Sequence, residues 1–134
     1  FSLREVSVAM IADLGSLQRL PGIIGEGWTR QMAFSAENIT AEKAQKIGLV
    51  NAVYPDRETL LMAASELAGQ IAGNSPPAVQ TTKKVLNWGR GRTVEDGLEY
   101  AADRQTQLLP NSDLLEAIAA FMERRRPEFG RQQN

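Results

Sequence analysis

The chain has 134 residues, enough for one domain with a buried core, and its 43% hydrophobic and 23% charged residues are those of an ordinary globular protein. With 15 basic and 16 acidic residues, no global field recruits nucleic acid or a membrane surface, and no apolar run approaches the length of a membrane span. Cysteine and histidine are both missing, which excludes thiolate nucleophiles, disulfides, imidazole or sulfur metal sites and the common serine triad, so proton chemistry falls to Asp, Glu, Tyr or Lys.

The first stretch, FSLREVSVAMIADLG, carries the chemistry that remains. Phe1, Leu3 and Glu5 alternate with Ser2 and Arg4, the period of a half-buried strand, and put a carboxylate on the apolar face. Asp13 is likewise set among Val8, Ala9, Met10, Ile11, Ala12 and Leu14, with no basic residue between Arg4 and Arg19. Burial disfavours the charged form, which suits both side chains to proton transfer near neutral pH. The structural alternative is a strand-end Glu5 paired with Arg4 or Arg19 and an Asp13 that caps the following helix.

That helix is expected over residues 14–20, stopped by Pro21 and Gly22, with its N-terminal amides either aimed at developing negative charge or simply connecting elements. A helix from Gly25 to Ala36 would bury Trp28, Met32 and Ala33 as core. Thr40 reads as the N-cap of a helix over 41–47, Gly48 as its left-handed C-cap, and residues 49–54 as a short strand or extended segment ended by Pro55 and Asp56. Amphipathic helices then follow over 58–72 and 77–88, with Val79, Val85 and Leu86 facing inward and Lys83 and Lys84 outward. Thr93 caps a helix reaching about Leu109, on which Tyr100 is structural. A last helix starts at Asn111 or Ser112, carries Leu114, Leu115, Ile118, Ala119 and Met122 at helical spacing, and runs into Glu123-Arg124-Arg125-Arg126.

Glu5 and Asp13, followed by Gly15, Leu17 and Gln18-Arg19-Leu20-Pro21, resemble the active-site strand and following helix of the crotonase (enoyl-CoA hydratase/isomerase) superfamily. Ala41-Glu42-Lys43-Ala44, Gly48-Leu49-Val50-Asn51, Ser75-Pro76, Thr82-Lys83 and Ala120-Phe121 through Arg126-Pro127-Glu128-Phe129 fall in the family's order, so the resemblance covers essentially the whole chain. Most hydratases of that family carry a glycine-rich turn where Asp13 stands. An acidic residue eight positions after the glutamate, in Ala12-Asp13-Leu14-Gly15, instead resembles the branch that isomerises 3,5-dienoyl-CoA to 2,4-dienoyl-CoA.

The resemblance implies an α/β protein, a crotonase (ClpP-like) spiral fold when complete, of which this chain is the C-terminal half, mostly helical with one or two short strands. A start at Phe1, inside an expected strand and without an initiator methionine, fits a piece of a longer chain. Residues 1–54 would end the spiral core and residues 55–134 would form a helical oligomerisation region. Glu5 and Asp13 would be catalytic, and Phe121 and Arg124 would approach the CoA nucleotide. The implied partners are an acyl-CoA substrate and further copies in a homotrimer or homohexamer, with no nucleic acid, membrane, metal or separate cofactor, since CoA belongs to the substrate. A cytoplasmic, bacterial-like location is expected from the lack of a visible targeting segment. The alternatives are 2-enoyl-CoA hydration on the same fold and a non-catalytic module for acyl-CoA binding or oligomerisation.

Overall fold

Polar side chains that take up the first free amides set the starts of four of the seven helices among the described residues. Thr40 Oγ1 accepts from Lys43 N (3.2 Å), Asp56 Oδ1 from Thr59 N (2.7 Å), Thr93 Oγ1 from Asp96 N (3.1 Å) and Asn111 Oδ1 from Leu114 N (2.9 Å), each satisfying a donor that the helix itself leaves unpaired. The computed structural model describes residues 1–130. Its elements are a 3₁₀ turn, Glu5–Val8, and helices α1 Ser16–Arg19, α2 Pro21–Ser35, α3 Ala41–Lys46, α4 Arg57–Ala72, α5 Pro76–Trp88, α6 Val94–Leu108 and α7 Ser112–Met122. No helix among the described residues is long and apolar enough to cross a membrane.

The short strands expected at residues 1–5 and 49–54 are absent, and the described residues contain no strand at all. Phe1 exchanges two backbone hydrogen bonds with Ile39 (2.9 and 2.8 Å), but the pairing stops there. Instead, Ser7 N donates to Arg4 O and Met10 N to Glu5 O, winding the chain into the 3₁₀ turn, which Ala9 ends at φ 58°. In the second segment, Leu49 N and Val50 N both donate to Ala44 O at the end of α3. Alternation and apolar runs favour extended backbone, but a strand also needs a ladder partner for its N–H and C=O groups, and these segments spend theirs on turns.

The helix expected over 14–20 contracts to the four residues of α1. Pro21 starts a helix rather than stopping one, because the first helical position needs no amide donor and proline's fixed φ suits it. The break comes at Gly25, whose φ 76° and ψ 164° interrupt α2 and restart it, in agreement with the expected Gly25 start. Buried Thr29 uses its hydroxyl to cap this break, donating to Gly25 O at 2.8 Å.

The chain divides into two compact units, residues 1–61 and residues from Met62 onward. In the first, Leu3, Ile24, Met32, Ala33, Ile39 and Ala44 form the core, with Leu17, Leu20, Trp28, Ile47, Leu49 and Val50 packed around it. Met32 is a core residue, as its spacing implied; Trp28 is half-buried against that core, and Lys43 Nζ lies 3.7 Å from its ring centre, covering the outer face. In the second unit α5 and α6 pair, and Trp88 stacks on Tyr100 at 4.3 Å with the rings 5° from parallel, which gives Tyr100 a packing role. Lys83 and Lys84 are exposed as expected, but Leu86 is too, at 68%, so it does not face inward. Helix α4 forms where its periodic leucines place it yet buries no residue, and Leu115, Ile118 and Met122 of α7 are exposed.

Asp56 anchors α4 in a pH-dependent way. The Thr59 amide, followed by its hydroxyl, holds the Asp56 carboxyl below the usual carboxylate range. A depressed folded value means that this anchor's contribution is present above the unfolded pKa and is lost as pH falls through the folded one. Asn also caps but does not titrate there. As the pH drops below about 4, the thermal midpoint of the complete protein should therefore fall faster for the natural sequence than for Asp56→Asn. Parallel curves for the two would show that the cap carries no charge-dependent stability.

Candidate functional site

Glu5 and Asp13 bracket one surface loop of the first unit. The 3₁₀ turn half-buries Glu5 and leaves its Oε2 shielded from solvent with no hydrogen-bond partner. A buried acceptor without a donor is costly and uncommon in a folded chain, and such atoms concentrate where a ligand or catalytic proton is handled. Among the described residues, Glu5 makes no ion pair with Arg4 or Arg19, so it is not the salt-bridged strand end considered above.

Asp13 is exposed, which departs from the buried setting its apolar neighbours implied. Those neighbours are themselves exposed: Val8 by 65%, Met10 by 56%, Ile11 by 74% and Leu14 by 86%. Only Ala12 of this run is buried, so an apolar sequence here makes an apolar surface rather than a core. Asp13 does not cap α1 either. That position belongs to Gly15 at φ 88°, which supplies no side-chain bond, and the Arg19 guanidinium lies against it, its Cζ 3.4 Å from where a Cβ would stand. With four residues, α1 is also too short to aim a helix dipole at a ligand.

The other two candidates, Phe121 and Arg124, lie at the end of α7 in the second unit. Phe121 is 81% exposed. Arg124 has φ 54° and occupies the left-handed position after the helix, usually taken by glycine. Arg124 N donates to Phe121 O (3.2 Å) and Arg125 N to Ala120 O (3.0 Å), the paired bonds of a Schellman turn. The three arginines are not equivalent. Arg125 holds Glu116 with both terminal nitrogens and Glu123 through Nε (2.6 Å), and these carboxylates, Glu116 foremost, raise its already high pKa further. Arg124 makes no side-chain bond among the described residues. Residue types alone did not separate Arg124 from Arg125, because the distinction depends on which of them reaches back to Glu116, nine residues earlier on α7.

The family model for enoyl-CoA hydratase/isomerase matches residues 1–132. The chain belongs to this family. It is similar to the mitochondrial Delta(3,5)-Delta(2,4)-dienoyl-CoA isomerase of Dictyostelium discoideum, 43% identical over 96% of this chain and 44% of the relative. It is also similar to the peroxisomal enzyme of that name from Arabidopsis thaliana, 40% identical over 98% of this chain and 47% of the relative. The short-chain-enoyl-CoA hydratase of Clostridium acetobutylicum is 34% identical over 96% and 49%. A crystal structure of enoyl-CoA hydratase from Bacillus anthracis superposes with a TM-score of 0.89 at 33% identity, covering 93% of this chain and 48% of that one. The chain thus spans about half the length of the family members it matches. The cytoplasmic expectation is overturned, because the isomerase relatives carry mitochondrial and peroxisomal names.

Proposed function

We propose that the complete protein isomerises a 3,5-dienoyl-CoA to the 2,4-dienoyl-CoA by proton transfer between two carboxylates. Asp13 takes the proton from carbon 2, which the thioester acidifies, and the electron pair delocalises through the diene onto the thioester oxygen. Glu5 delivers a proton at carbon 6, the double bonds move toward the thioester, and no net charge or redox change results. The step calls for no metal or redox cofactor, CoA enters as part of the substrate, and the oxyanion that forms needs hydrogen-bond donors from the part of the protein outside this chain. The observation that carries the reading is the pair itself. Glu5 has a buried oxygen awaiting a partner, and an exposed Asp13 lies across an apolar loop surface suited to an acyl chain. The isomerase relatives, at 43% and 40% identity, support the choice of reaction.

In the same reading Phe121 and Arg124 meet the CoA nucleotide, residues 1–54 end the catalytic core, and residues 55–134 carry contacts between copies in a trimer or hexamer. Many apolar side chains of α4 and α7 are exposed, Leu61 by 52% and Ile118 by 53% among them, and subunit contacts would cover such faces. Hydration of a 2-enoyl-CoA is the second reading, favoured by the 34% identical hydratase. The test supplies the complete protein with a 3,5-dienoyl-CoA and a 2-enoyl-CoA in parallel. Rapid formation of the conjugated 2,4-diene with little water addition is the expected result. Hydration alone would leave Asp13 without a role, and silence on both substrates would favour a binding module.

A further inference from the structure

The Schellman turn after α7 is built around an unfavourable choice of residue. Its left-handed position holds Arg124 at φ 54° where glycine would be unstrained, so the backbone must be held there by its surroundings. Arg125, next along, grips both oxygens of Glu116, with Nη2 to Oε2 at 3.0 Å, and donates from Nη1 to Arg126 O at 3.2 Å. Glu116 Oε1 also accepts from Glu128 N at 2.9 Å, and Asp113 Oδ1 from Gly130 N at 3.3 Å, so α7 carboxylates tie down the chain on the far side of the turn as well. A planar two-point fork of this kind fixes orientation as well as distance. What the locked turn leaves over is one guanidinium without a partner among the described residues, three positions from an exposed aromatic ring.

We propose that Glu116 and Arg125 are positioning residues for CoA: their ion pair holds the strained turn that presents Arg124, beside Phe121 of α7, to the nucleotide. This rests on the reading that Arg124 meets that nucleotide, and the experiment separates the two. CoA affinity of the complete protein is measured by calorimetric titration for the natural sequence, Arg124→Ala, Glu116→Gln and the double variant, with an acyl-pantetheine, which lacks the nucleotide, as control. Glu116→Gln keeps the side chain's shape and removes the charge that holds the fork. It is expected to weaken CoA binding roughly five- to tenfold, to leave acyl-pantetheine binding unchanged, and to add nothing once Arg124 is Ala. Arg125→Lys, which cannot form the two-point fork, should behave like Glu116→Gln. Arg124→Gly should raise the thermal midpoint, since glycine relaxes the turn, while weakening CoA binding as Arg124→Ala does.

If Arg124→Ala weakens CoA binding but Glu116→Gln does not, the positioning role is overturned and the nucleotide reading stands. An equal loss from Glu116→Gln with and without Arg124, or a matching loss on acyl-pantetheine, would mean that Glu116 acts through general structure, which also overturns it. Unchanged CoA affinity in Arg124→Ala removes the nucleotide reading and the positioning role with it.

Discussion

Asp13→Asn and Glu5→Gln should each lower turnover of a 3,5-dienoyl-CoA by the complete protein by about 10²- to 10⁴-fold, with CoA affinity near that of the natural sequence. The amides keep the shape of the carboxylates but can neither take nor return a proton, so the loss falls on the chemical step rather than on binding. The two variants should also differ from each other. In deuterated water, Glu5→Gln should still exchange the carbon 2 proton of bound substrate, because Asp13 remains to remove it. Asp13→Asn should show no exchange at carbon 2. Equal activity of both variants and the natural protein would end the two-base mechanism. Loss in Glu5→Gln alone would return the chemistry to a hydratase-like site in which Asp13 is a bystander.

Gly25→Ala should destabilise the complete protein by about 1–3 kcal/mol, read as a drop in thermal midpoint. Gly25 has φ 76° and ψ 164°, a region that residues with a Cβ essentially do not enter, yet a Cβ built there meets nothing within 4 Å. The cost is therefore backbone strain alone, without a steric clash that neighbours could relieve. Gly27 supplies the control. It lies in the same helix, has no positive φ and also has open space at its Cβ, so Gly27→Ala should be neutral or slightly stabilising through helix propensity. If both substitutions behave alike, the interruption of α2 at Gly25 does not constrain the fold.

These two experiments probe residues of different legibility. Glu5 and Asp13 stand out as carboxylates in an apolar stretch, a pattern that a paired strand end and a helix cap also explain, and the resemblance to the family is what makes them a candidate catalytic pair. Their environments were not visible. Glu5 was expected on a strand and lies on a 3₁₀ turn; Asp13 was expected to be buried and is exposed. Apolar neighbours in sequence describe a surface's composition but not whether another segment covers it, and coverage is decided by contacts far along the chain.

Local chemistry, written in single residues, was sufficient for the starts of α3, α6 and α7. Thr40, Thr93 and Asn111 cap α3, α6 and α7 because a side-chain oxygen there reaches an amide three residues on, a property that needs no tertiary partner. The core positions Met32 and Ala33 followed from helical spacing for the same reason. Tertiary structure decided what depends on a second segment. Phe1 pairs only with Ile39 and so makes no ladder, and Leu49 and Val50 turn back onto Ala44. Pro21 starts α2 because the backbone is already helical at Leu20 and the first helical position needs no amide donor, a place that its ring suits as well as a stop. Arg125 is engaged and Arg124 left over because the turn after α7 brings Arg125, and not Arg124, back onto Glu116 of that helix. Sequence by itself determined which residues could form helices and cap them. Only the folded chain decided which backbone groups and which charges found partners, because those outcomes depend on distances between residues that the sequence keeps apart.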